Sequence, residues 1–118
     1  MTEADRPGVA YKILTREQLD RLLADGSFSG APVDLADGYI HMSTARQVRG
    51  TLDKHFAEQD DLHIAAVDLA ALGDAVKWEA SRGGALFPHL YAALPLSAVT
   101  DHAPVKRDET GKVNLPSH

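Results

Sequence analysis

The stretch Leu62 to Leu69 constrains this fold most, because it carries apolar residues on both faces of what reads as a strand. A strand apolar on both sides has to be covered on both sides, so it is expected to lie inside the domain. The chain has 118 residues, and single domains commonly run to about 100–150. The cover must therefore come from a small number of other elements in the same domain.

Two of those elements read as helices. Thr15 is a natural N-cap, Gln18 follows at capping-box spacing, and Leu19, Leu22 and Leu23 form a stripe at i, i+3 and i+4. Asp25-Gly26 is the stop, since glycine accepts the left-handed conformation of a C-cap. A second helix is predicted to open at Thr44, with Gln47 at the same spacing, Ala45, Val48, Leu52 and Phe56 facing inward, and an end near Glu58. Val9 to Leu14 is a short β-leaning run, whereas Ser27 to Asp37 is rich in Ser, Gly, Pro and Asp and reads as a surface loop pinned by Phe28.

Further on, Val76, Trp78 and Ala80 alternate with Lys77, Glu79 and Ser81 as in a half-buried strand, with Trp78 read as core. Arg82-Gly83-Gly84 is a flexible loop, and Pro88 places the next strand at an edge or a bulge because proline donates no ladder hydrogen bond. A last strand is expected near Ala98 to Val105. Residues 1–8 and 106–118 read as loose tails around one domain spanning 9–105. Two helices followed by several strands is an α+β order.

Composition narrows the function classes. There are no cysteines, which removes disulfides, thiolate metal sites and a cysteine nucleophile. The net charge of −5 argues against a large nucleic-acid footprint and leaves small molecules as the expected ligands. Apolar runs are far shorter than the roughly 20 residues that span a bilayer, and the acidic start lacks a signal peptide's basic region, so no membrane role and a cytoplasmic location are expected.

The chemistry is concentrated in two stretches. In Asp37-Gly38-Tyr39-Ile40-His41-Met42-Ser43-Thr44, strand periodicity puts Tyr39, His41 and Ser43 on one face and Ile40 and Met42 on the other. Thr44 then opens a helix whose free N–H groups would be available to a ligand. In Leu86-Phe87-Pro88-His89-Leu90-Tyr91 the polar face is Phe87, His89 and Tyr91. Two such strands could wall one cleft, although an imidazole on a strand is often structural. Arg82 could grip a phosphate through its planar fork or simply sit in a turn, and Glu79 could orient a ribose, stabilise a developing cation or be solvated. His55, His63 and His102 lack such company. No His-x-His or His-Glu-x-x-His spacing occurs, so no metal is expected, and Ser43 lacks the Gly-x-Ser-x-Gly elbow of serine hydrolases.

Tyr11-Lys12-Ile13-Leu14-Thr15, Ile40-His41-Met42-Ser43-Thr44 with Gln47, and Phe87-Pro88-His89-Leu90-Tyr91 closely resemble the small bacterial proteins grouped as domain of unknown function 952, over about Tyr11 to Val105. Ala92 stands where that pattern usually has glycine. The resemblance implies a compact ADP-ribosyltransferase-like fold, with split antiparallel sheets and two main helices around a cleft that holds NAD. It also implies that His41 bonds a ribose hydroxyl, that the backbone of Met42 meets the nicotinamide amide, and that Ser43 adds a hydroxyl. Glu79 would take the catalytic glutamate's place, and His89 and Tyr91 would flank the nicotinamide. Met42 stands where those transferases have glycine. Two alternatives stay open: a ligand sensor or interaction module without transfer chemistry, and a metal-dependent enzyme built on His41 and His89.

Overall fold

The computed structural model describes residues 8–80 and 84–116. Its first sheet has the order β1-β4-β8, formed by Val9–Thr15, Leu62–Asp68 and Val99–Pro104, all antiparallel. A second has the order β3-β6-β5, formed by Ile40–His41, Leu86–Leu90 and Val76–Ala80, and is antiparallel too. Ser27–Phe28 (β2) and Leu94–Pro95 (β7) pair as a small ribbon. The helices are α1 (Arg16–Asp25), α2 (Pro32–Asp37) and α3 (Val48–His55). The described residues thus form a mixed α+β globule of antiparallel sheets with three α-helices, and none of their helices is long and apolar enough to cross a membrane.

β4 is the inner strand that its composition demands. Ala65 and Val67 face one core, with Ala10 and Leu14 of β1, Leu19 and Leu22 of α1, and Ile40 and Leu90 of the second sheet. Ile64 and Ala66 face another, with Tyr11 and Ile13 of β1 and Val48 and Leu52 of α3. Period two sends alternate residues of β1 and β4 into the two cores, so each strand is buried on both faces.

The first helix forms as its sequence dictates. Thr15 accepts from the Gln18 backbone N–H at 3.2 Å, Gln18 Oε1 accepts from the Thr15 N–H at 3.0 Å, and Gly26 closes the helix with φ of 77°. Leu19 and Leu22 are buried as expected, but Leu23 lies at the surface.

Four expectations are corrected. Ser27 to Asp37 is not an open loop but holds β2 and α2, with Phe28 buried as the pin. The second helix starts at Val48 rather than Thr44 and ends at His55, because Thr44 to Gln47 form a turn in which Gln47 Oε1 takes the Thr44 N–H at 3.0 Å. That N–H is therefore already engaged. β6, which contains Pro88, is the central strand of its sheet and not an edge. The proline is tolerated because β3 stops opposite it: Met42 donates to the Pro88 carbonyl at 3.1 Å, no return bond from proline exists, and the chain crosses to the first sheet, where Ser43 and Tyr11 exchange backbone bonds of 2.7 and 2.9 Å. Residues 107–115 also fold back, with Arg107 bridging Val113 and Val113 buried in the second core.

Replacing Thr15 by Ala removes one half of the capping box and is expected to cost about 1 kcal/mol, a fall of about 4 °C in melting temperature for a domain of this size. A thermal melt that does not shift would contradict the role given to this cap.

Candidate functional site

A lysine occupies a core position of β1. By alternation Lys12 points to the side of Ala10 and Leu14, and it is only 5% exposed. Burying an ammonium is costly unless it is paired and hydrogen-bonded. Lys12 Nζ donates to Asp34 Oδ2 and to the His41 carbonyl, both at 3.0 Å.

Asp34 is 1% exposed and accepts four hydrogen bonds. Oδ2 takes Lys12 and the Ala31 N–H at 2.8 Å, while Oδ1 takes the His41 N–H at 3.1 Å and His41 Nδ1 at 2.6 Å. Burial pushes its carboxyl up, but the Lys12 ammonium, the His41 ring and the two backbone donors outweigh that and hold it below the usual range. α2 is built around this side chain. Pro32 opens it at N1, Asp34 at N3 reaches back to Ala31, and Gly30 at φ of 129° leaves room, since a Cβ there would lie 2.9 Å from the Asp34 Cβ.

His41 therefore has its Nδ1 fixed by a buried carboxylate, and its other nitrogen, Nε2, lies 2.9 Å from the more exposed Asp37. Across the ladder it faces His89, whose Nδ1 is 2.8 Å from Glu79 Oε1. The same oxygen accepts from the Tyr91 hydroxyl at 2.7 Å. That bond pushes the Tyr91 phenol up to about 12 and, with further help from His89, holds the Glu79 carboxyl below its ordinary range. Tyr39 completes the cluster, stacked on His89 at 4.1 Å between ring centroids and tilted against His41 at 4.7 Å and Tyr91 at 5.2 Å.

The two alternating stretches thus bring Tyr39, His41, His89 and Tyr91 together, and β5 adds Glu79 to the cluster. Beside it runs a groove of about 790 Å³, within the range of small-ligand sites. Tyr39, His41, Met42, Ser43, Phe87 and His89 line it, and α3 forms another wall. Glu79 and Tyr91 do not line it: Tyr91 borders a smaller cleft of about 250 Å³, and Glu79 reaches the groove only through the His89 ring. The Met42 backbone is expected to meet an amide; its N–H is bonded to Pro88, and Met42 is buried in the core. Ser43 is also buried, its hydroxyl 2.9 Å from that of Thr51. Thr44 sits in the turn before α3, and Arg82 lies outside the described residues. Among the described residues no three His, Asp or Glu side chains are grouped to hold a metal ion.

Lys12, Asp34 and Asp37 are the site residues to which the sequence assigns no role, although Lys12 and Asp37 lie inside the quoted motif stretches. A lysine inside the apolar run Val9 to Leu14 was the available signal, since a strand buried on both faces must supply it with a carboxylate.

Two expectations follow from this network. A carboxyl held low in the folded state contributes stability that is complete above the unfolded value of about 3.9 and is lost as pH falls through the folded value. Asp34→Asn should therefore be less stable at pH 7 by about 3–5 kcal/mol, from stranding Lys12, and should show a shallower loss towards acid. Urea denaturation across pH checks both, and parallel acid limbs would contradict the account. In Glu79→Gln the Tyr91 phenol should titrate nearer its ordinary value of about 10. Phenolate absorbance of Glu79→Gln against Glu79→Gln/Tyr91→Phe measures this, and a Tyr91 value still near 12 would remove Glu79 as the cause.

Residues 13–102 match the family model described as Protein of unknown function (DUF952). The crystal structure of protein CC0527 from Caulobacter crescentus is 47% identical, with a TM-score of 0.81 over 92% of this chain and 93% of that one. The solution NMR structure of CC0527 is 48% identical, with a TM-score of 0.77 over 91% of each chain. No curated protein matches the chain. With both motif strands inside the matched segment and a solved relative sharing nearly the whole fold, the chain belongs to the DUF952 family.

Proposed function

We propose that the groove binds NAD or a related nucleotide, and that the domain is a compact relative of the ADP-ribosyltransferases. The observation that carries this reading is the convergence of His41, His89 and Tyr39 on the wall of one groove large enough for a nucleotide. The split pair of antiparallel sheets with helices around that groove supports the fold relationship. In this reading His41 bonds a ribose hydroxyl through Nε2, with Asp37 giving way, while Asp34 keeps Nδ1 oriented. The rings of Tyr39 and His89 supply a flat surface beside the base or the nicotinamide. Glu79 is a positioning residue that fixes the His89 ring.

Transfer would break the bond between ribose C1′ and the nicotinamide nitrogen, the electron pair leaving with nicotinamide as an acceptor atom bonds to C1′ and gives up its proton. A carboxylate near C1′ lowers such a barrier, and Glu79 does not border the groove directly. The second reading, binding without transfer, is favoured by specific contacts. The N–H of Met42, whose backbone would meet the nicotinamide amide, is bonded to Pro88, and the Ser43 hydroxyl, which would be a further donor, is paired with Thr51.

Titration calorimetry with NAD, wild type beside His41→Ala, with nicotinamide release followed in the same samples, tests both. Binding should weaken by about tenfold or more in the variant, the equivalent of one charge-assisted contact of about 1.4 kcal/mol or more. Nicotinamide release would establish the transferase reading, and binding without release the sensor reading. Absence of heat with NAD, ADP-ribose and a 2′-phosphorylated nucleotide would overturn both.

A further inference from the structure

The α3 side of the groove has a different character from the imidazole side. The turn before α3 and the helix itself present Arg46, Gly50 and Lys54 to the groove at intervals of four residues, the spacing that brings side chains onto one helical face. Arg46 and Lys54 are exposed, and among the described residues neither has a carboxylate partner, whereas Arg49 and Arg107 both reach Asp53. The acids that line the groove are already engaged, Asp34 by Lys12 and Asp37 by His41. The His41 ring offsets Asp37 only when it is protonated, but even with Asp37 counted as a free acid the two cations outnumber it and leave the groove net positive on this side.

Gly50 lies between them and is not needed by the fold. Its φ is outside the left-handed region, and a Cβ there would meet nothing within 4 Å. An exposed glycine inside a helix weakens it relative to alanine. What glycine provides at such a place is a bare backbone that a ligand can approach closely.

We infer that Arg46, Gly50 and Lys54 form an anion subsite that takes the phosphate or diphosphate of a nucleotide lying in the groove. The inference deepens the nucleotide reading and rests on it. Arg46 offers a planar fork that matches two phosphate oxygens, Lys54 adds a mobile point charge, and Gly50 lets the phosphates lie against the helix between them. The base or ribose end then extends towards His41 and Tyr39, on the side where the rings are.

The test uses the full chain and three probes in titration calorimetry: ADP, inorganic pyrophosphate and adenosine. ADP and pyrophosphate should bind more weakly as salt is raised, and adenosine should bind at least about tenfold more weakly than ADP. Arg46→Gln/Lys54→Gln should weaken ADP by about tenfold or more and leave adenosine unchanged. Gly50→Ala separates binding from folding, because it should raise the melting temperature while weakening ADP. A Gly50→Ala protein that is more stable with unchanged ADP affinity would overturn the inference, as would unchanged ADP affinity in the double variant or no binding of any probe. ADP and pyrophosphate binding that depends on Arg46 and Lys54, without any NAD binding, would keep the subsite and remove the NAD reading. NAD binding that depends on His41 but not on Arg46 or Lys54 would do the reverse.

Discussion

The buried contact between Lys12 and Asp34, at 3.0 Å, ties the core of this protein to its groove. Lys12 comes from an edge strand of the first sheet, Asp34 from the short helix α2, and both bond His41 of the second sheet. Neighbouring α2 and β3 are thereby held in one geometry with β1, which is distant from them in sequence. A buried ion pair is weak evidence for net stability, because desolvation offsets much of the attraction. Its value here is positional: the Asp34 carboxylate that meets Lys12 through one oxygen orients the His41 ring through the other.

The second constraint is the proline at the centre of β6. With no N–H at Pro88, β3 cannot continue its ladder beyond His41, and the chain leaves for the first sheet at Ser43. Met42 N–H donates to the Pro88 carbonyl, so by antiparallel alternation His41 and His89 form a non-hydrogen-bonded pair, the arrangement in which facing side chains come closest. Their rings lie 5.5 Å apart, each with a carboxylate at Nδ1, and Tyr39 fills the space beside both. The site thus follows from one missing donor and one buried charge.

Much of this was legible in the sequence. The two-sided apolar run marks β4 as the inner strand, the Thr15–Gln18 spacing marks α1, and alternation puts His41 and His89 each on the polar face of its own strand, while their pairing comes from the fold. α2 was hidden because six residues are too few to show a helical period, and its start has alanine rather than a Ser or Thr cap; only Pro32 at N1 and Asp34 at N3 mark it. Pro88 misled because the rule against central-strand proline assumes a partner that needs its N–H, and β3 has already ended there. Residues 107–115 look polar because only Val113 and Leu115 carry their contact with the second core. Of the long-range pair Lys12 with Asp34 the sequence shows only a lysine in an apolar run, and nothing local names its partner.

Asp34, held by Lys12, fixes the wall of the groove that carries His41. Amide hydrogen exchange on Lys12→Met beside wild type tests it most directly, since local opening is read residue by residue. The account predicts faster exchange at the Ala31 and His41 amides, which Asp34 holds, while amides between β1 and β4 keep their protection. Unchanged protection at Ala31 and His41, or an equal loss across the first sheet, would contradict it.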